Sequence, residues 1–255
     1  MNLDQYLNAV QSETALLATA ADEAGPDAHL PSCPEWVMRD LIHHMGEVQR
    51  WSAAVVRGAI TNPAELPPDF LGALPDDNAL IDWLNAGATA LIAALRDADP
   101  DLVCFRFLED PPPSRLFWAR RQAHEVGIHR LDAEEALLRN SGFTADMAAD
   151  GIDELLTGFA PRKRTPLRSD VPRRLLIAPD DSPTAWLVNI SDQPVATSRL
   201  AVADASASTA DCSVGGASSD IYEALWNRRD TEGLSIDGDA SVLALFRGGV
   251  QIRWS

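Results

Sequence analysis

The sequence predicts a mixed α+β chain, with a four-helix bundle over residues 1–160 followed by a small α+β domain over residues 161–255. Two changes along the chain predict this. Apolar residues recur every three and four positions in the first part, whereas beyond Pro172 they gather into short β-branched runs bounded by Pro, Asp, Ser and Gly. A basic run, Arg162, Lys163 and Arg164, lies at the junction and reads as a solvated linker.

The opening helix is predicted from one apolar face, Leu3, Tyr6, Leu7, Val10 and Leu17. After a loop at Gly25 and Pro26, a second helix is predicted from about Pro34, with Ser32 or Cys33 near its cap. Its stripe is Val37, Leu41, His44, Val48, Trp51 and Val55. The proline-rich stretch from Thr61 to Pro75 is expected to be a loop. Leu80, Trp83, Leu84, Leu91 and Leu95 mark a third helix, and a fourth follows the three prolines 111–113, from about Ser114 to Asn140. In the second part RRLLIA, TAWLVNI, VATSRLAVA and TADCSVGG read as strands. ASSDIYEALWNRRD and DASVLALFRG read as helices, and VQIRW as a closing strand.

Composition narrows the function classes. The 255 residues are 46% hydrophobic, enough to build cores without disulfides, and Cys33, Cys104 and Cys212 show no paired metal-binding spacing. A net charge of -17 opposes binding to nucleic acid or anionic lipid, so neither is expected as a partner. The N-terminus lacks a leader pattern and no stretch reads as a membrane span, so a cytoplasmic protein is expected. Lys163 is the only lysine, an arginine bias that suggests a GC-rich genome.

Two helices carry the chemistry. His44 occupies an apolar stripe where leucine would pack better, so burial there demands a partner. Glu125 and His129 are four apart and share a helix face, where they can chelate one ion. The string HEVGIH is not a zincin motif, because His124 and His129 diverge by about 140° on a helix of 3.6 residues per turn. A histidine, a glutamate and a second histidine form a facial set with open positions, the pattern of a reactive zinc site. His43 and His124 remain alternative ligands, and His29 falls in a loop. Arg121 and Asp132, one turn to either side, either orient the ligands or make surface ion pairs.

These residues lie inside two longer strings. CPEWVMRDLIHHMGEVQRW (residues 33–51) and FWARRQAHEVGIHRLDAE (residues 117–134) resemble signature segments of the maleylpyruvate isomerase family of mycothiol-dependent enzymes. The C-terminal stretch from SVGG through LWNRR to the GD before the last helix is similar to the family's second domain. The sequence departs from the usual pattern at Glu35, where the family has glycine, and at Leu131, where it has tryptophan. The resemblance implies a DinB-like metal-binding bundle followed by a sterol-carrier-like α+β domain. It places the metal ligands, zinc by expectation, on His44, Glu125 and His129. It also implies that Arg228 recognises substrate, although helix capping explains an arginine there equally well. The implied activity uses mycothiol, a low-molecular-weight thiol, to isomerise small electrophiles or to conjugate them. A thiol-independent zinc hydrolase and a non-catalytic metal-containing binding protein are the other readings of the same residues.

Overall fold

A computed structural model describes residues 1–67, 70–205 and 208–252. The chain packs as two units. The first comprises Met1–Phe107 and Pro111–Ser141, and the second Leu108–Asp110 with the chain from Gly142 onward.

The first unit holds helices α1 (Leu3–Ala24), α2 (Met38–Arg57), α3 (Leu80–Asp97) and α4 (Ser114–Glu135). They close into a ring in which α1 lies against α4 and α3, and α2 lies against α3 and α4. A capping box starts α1: Asn2 Oδ1 accepts from the Gln5 amide at 3.0 Å, and Gln5 Oε1 accepts from the Asn2 amide at 2.8 Å. Leu17, Leu41, Met45, Leu84 and Val126 bring apolar surface from all four helices into one core. Where α2 meets α3, the Trp83 ring rests on Gly46; a Cβ there would stand 1.9 Å from Trp83 Cζ3. Arg50 then lies 3.9 Å over the same ring and donates to the Trp83 carbonyl at 2.8 Å. The sequence analysis expects no membrane span, yet Asp77–Asp97 is long and apolar enough for one by length and composition; Leu84, Leu91 and Leu95 on it are buried in the protein.

Two helix boundaries differ from expectation. The second helix begins at Met38, because residues before it fold back on themselves: Met38 donates to the Ala28 carbonyl at 2.9 Å and His29 bridges Val37. Pro34 lies in that fold, and Asp40 Oδ2 accepts from the Val37 amide at 3.0 Å instead of any cap from Ser32 or Cys33. The buried face is also rotated: Met38, Ile42, Met45, Gln49 and Ala53 are buried with Leu41 and Val55, whereas His44, Val48 and Trp51 are half-buried. The fourth helix ends at Glu135 because Leu138 takes a left-handed φ of 55°, and the amides of Leu137 and Arg139 turn back to the Glu134 carbonyl.

In the second unit α5 (Ala145–Glu154) runs into a π-helical turn at Leu155–Phe159. Strands β1 (Arg173–Pro179), β2 (Thr184–Ile190) and β3 (Ala196–Ala201) follow, then the short helix α6 (Val202–Ala205) and strand β4 (Cys212–Gly216). Helix α7 (Ser218–Leu225), strand β5 (Ser235–Gly238) and helix α8 (Ala240–Gly249) complete the order. The sheet runs β3-β2-β1-β4-β5, antiparallel except for the β1–β4 pair, in which Leu175 faces Cys212. Against α7 lies α5, closely enough that a Cβ on Gly151 would fall 2.4 Å from the Tyr222 ring. Trp186 Nε1 donates to Asp153 Oδ1 at 2.9 Å, and Arg199 also pairs with Asp153, which ties α5 to the sheet.

The expected class, a helical bundle followed by an α+β part, is the observed one. Helix α5 and strand β5 have no counterpart among the sequence expectations; the strand expected through VATSRLAVA ends at Ala201, just before α6, and the helix expected over ASSDIYEALWNRRD ends at Leu225. The closing strand is absent at Val250–Ile252, and its Arg253 and Trp254 lie outside the described residues.

Candidate metal centre

Almost every residue of α4 is buried, including Arg121, Glu125, His129, Arg130, Asp132 and Glu134. Charged groups in that position need partners, since an isolated buried charge costs several kcal/mol. Helix α2 brings His44 to Glu125 and His129, and one donor atom from each lies within 4.8 Å of the others. Glu125 Oε1 faces both rings, 3.5 Å from His44 Nε2 and 3.7 Å from His129 Nε2. Those spacings are too long for hydrogen bonds, and buried Oε1 has no donor. Its companion oxygen is engaged: Glu125 Oε2 accepts from Arg121 Nη2 at 3.0 Å.

His129 is fixed from behind. Its Nδ1 lies 2.8 Å from Asp132 Oδ2, so the ring turns Nε2 toward Glu125. Ser32 Oγ donates to Asp132 Oδ1 at 2.6 Å, and the Cys33 thiol lies 3.7 Å from Oδ2. The same loop lays Trp36 beside the rings, with centroids 5.0 Å from His44 and 6.3 Å from His129. The His44 side chain is 16% exposed against 4% for His129 and 3% for Glu125, so solvent reaches the group from the His44 side.

Burial alone would raise the Glu125 pKa, but His129, His44 and Arg121 outweigh it and hold the carboxyl well below the usual range. Burial would likewise lower the His129 pKa, but the Asp132 and Glu125 carboxylates outweigh it and push it up to about 9. Two imidazole nitrogens and a carboxylate oxygen without a donor are a donor set that suits zinc or a similar divalent ion. The residues therefore fit a metal.

The alternative histidines lie elsewhere. His43 Nε2 is 3.3 Å from the Pro75 carbonyl and its ring meets Trp83 edge-on; His124 is fully buried outside the trio; His29 is exposed. Trp118 is core, donating to the Phe105 carbonyl at 2.9 Å with Trp51 against its ring, whereas Trp36 lies against both site histidines. Arg121 and Asp132 are buried partners of the trio and not surface pairs. In sequence, Ser32 before Pro34 carries a helix-cap pattern, and only the fold shows its contact with Asp132. In the second unit Arg228 follows α7, its amide donating to the Glu223 carbonyl at 2.9 Å and its Nη1 to the Trp226 carbonyl at 3.2 Å.

Comparison with known proteins adds a family. The family model described as the mycothiol maleylpyruvate isomerase N-terminal domain matches residues 7–134, and that of the matching C-terminal domain matches residues 146–245. Among solved structures, the mycothiol-dependent maleylpyruvate isomerase aligns with a TM-score of 0.60 at 16% identity. A histidine-to-alanine mutant of such an isomerase aligns at 0.59 and 15%. Each alignment covers 93% of this chain and 93% of the other, and at such identities the likeness shows the fold. No curated protein matches the chain.

Proposed function

This chain belongs to the mycothiol maleylpyruvate isomerase family, and on that premise we propose that it is an enzyme that activates a low-molecular-weight thiol at a divalent metal, zinc by preference, held by His44, Glu125 and His129. The observation that carries the proposal is Glu125 Oε1, a buried carboxylate oxygen with no donor, set between two imidazole nitrogens. Most buried carboxylate oxygens have a donor, and this one faces two imidazole nitrogens that a cation can share with it. A divalent cation held there would supply positive charge that favours the nucleophilic thiolate form of a bound thiol.

The chain's own residues do the positioning. Asp132 holds the His129 ring, Ser32 holds Asp132, and Trp36 presents an apolar wall beside both imidazoles. The thiol, mycothiol in this reading, adds across an activated double bond of a small electrophile. Rotation about the new single bond and departure of the thiol give the isomer, while retention of the thioether makes the reaction an S-transfer. Arg228 is assigned to a substrate carboxylate, which a guanidinium grips with two parallel hydrogen bonds. The support for that role is the family resemblance of the LWNRR segment.

Elemental analysis of purified wild type beside His44→Ala and His129→Ala tests the metal. About one zinc per wild-type chain, lost from both folded variants, is the expected result. Zinc retained in both, or absent from reconstituted wild type, removes the reading. A screen of mycothiol with unsaturated dicarboxylates then tests the chemistry. Arg228→Lys is expected to raise KM for carboxylate substrates more than it lowers kcat.

A further inference from the structure

This inference rests on the metal reading above. Arg121 precedes Glu125 by one helical turn, is 1% exposed, and donates through Nη2 to Glu125 Oε2 at 3.0 Å. A carboxylate offers a metal one oxygen or both, and the difference alters coordination number and the charge delivered to the ion. Arg121 engages one oxygen, and the other is the one that faces His44 and His129. We infer that Arg121 is a positioning residue that keeps Glu125 a one-oxygen donor and keeps the loaded site electropositive.

The charges around the group support this. Besides Glu125, Asp132 brings a second carboxylate against His129. Two carboxylates alone would cancel the charge of a divalent ion and remove its pull on a thiol proton. Arg121, cationic at every working pH, offsets one of them. An ordinary i,i+4 ion pair on a helix surface contributes only a few tenths of a kcal/mol and has no reason to be buried. This pair is buried, and its carboxylate is the one whose other oxygen lacks a donor.

The test loads the full-length chain with Co(II), whose visible absorption weakens as coordination number rises. Wild type, Arg121→Met and Arg121→Lys are compared, with Co(II) affinity measured against a competing chelator. Arg121→Met is expected to show weakened, shifted absorption as the freed oxygen joins the ion. Its Co(II) affinity should be unchanged or tighter, and thiol-dependent turnover about tenfold lower or more. Arg121→Lys, which keeps the charge and a donor, is expected to restore the wild-type spectrum. A wild-type spectrum in Arg121→Met, or Co(II) affinity weakened with the spectrum intact, overturns the inference and leaves an ordinary structural pair. If Arg121→Met does not fold, Arg121→Gln, which loses the charge, is held to the same two outcomes. Failure of wild type to bind Co(II) overturns the metal reading itself, and this inference with it.

Discussion

Helix α4 carries two buried charged clusters a turn apart, and they are built oppositely. In the second cluster every contact is made: Arg130 donates to Glu13 and to Glu134 at 2.8 Å each, and to Ser141 Oγ at 2.8 Å. Glu134 also accepts from the Ser141 hydroxyl at 2.6 Å and its amide at 3.1 Å. In the first cluster Arg121 and Asp132 are also paired, but less completely: Glu125 Oε1 faces two imidazoles with no donor, and Arg121 Nε makes no hydrogen bond. Both clusters share a helix, a degree of burial and a residue vocabulary. Hydrogen-bond satisfaction distinguishes them: the saturated cluster fastens α1 and the 136–141 turn to α4, and the unsaturated one is the site proposed to hold the metal.

The largest expected effect separates the two outright. His44→Ala should weaken zinc binding by more than about a hundredfold, judged against the ten- to hundredfold cost of outer-sphere changes. The metal-free fold should shift by no more than about 1 kcal/mol in urea unfolding, because His44 lies at the half-buried edge of its helix face. Arg130→Met should do the reverse, costing about 3 kcal/mol because two carboxylates lose their cation, with zinc stoichiometry unchanged. Equal effects of both substitutions on zinc would dissolve the distinction.

Metal removal sharpens it further. With free zinc at a hundred times Kd, binding should stabilise wild type by about 2.7 kcal/mol, read as a rise in Tm that chelator reverses. Neither zinc nor chelator should move the Tm of His44→Ala.

A pH effect belongs to the saturated cluster. Burial opposes ionisation of Glu134, but Ser141 and Arg130 outweigh it and hold its carboxyl below the ordinary range. A lowered folded pKa gives stability that is complete above the unfolded value, about 4.3, and is lost as pH falls through the folded one. The urea midpoint of metal-free protein should therefore drop below about pH 5. Glu134→Gln should be less stable near neutrality and should lose that part of the acid decline. An unchanged acid limb would show that Glu134 gains nothing from its partners.

The smallest effect tests the support behind the site. Ser32→Ala frees Asp132 Oδ1 of its hydroxyl donor and should weaken zinc by about tenfold. Its cost to folding should be about 2 kcal/mol, since a short hydrogen bond to a buried carboxylate is lost. Zinc affinity equal to wild type would mean that Asp132 needs no help from the loop.

Much of this was readable in the linear chain. Apolar spacing of three and four marked the four bundle helices, and short apolar runs marked β2 to the residue and β1 up to Ala178. The Glu125/His129 pair follows from a period that any helix imposes. Less was readable where neighbours in space decide. Pro34 and Ser32 carry a helix-start pattern, but bonds from Met38 to Ala28 and from Ser32 to Asp132 make that segment a folded loop. Helix α5 has few apolar residues, Met147, Ala148 and Ile152, and their burial depends on α7 packing against them. Strand β5 is four residues long and exists through its pairing with β4.

The sequence by itself determined the helix periods, the strand texture, the facing of Glu125 and His129 on one helix, and the motifs that identify the family. These are local properties, set by backbone geometry within one or two turns. Tertiary structure brings His44 to the pair, as the family resemblance implied, and it alone decided that Arg121 and Asp132 are buried partners and not surface ions. It alone decided which buried polar atoms lack a hydrogen-bond partner, Glu125 Oε1 among them. Satisfaction of a buried polar group depends on atoms that lie far away in sequence, here about 80 to 100 residues, and no local pattern encodes it.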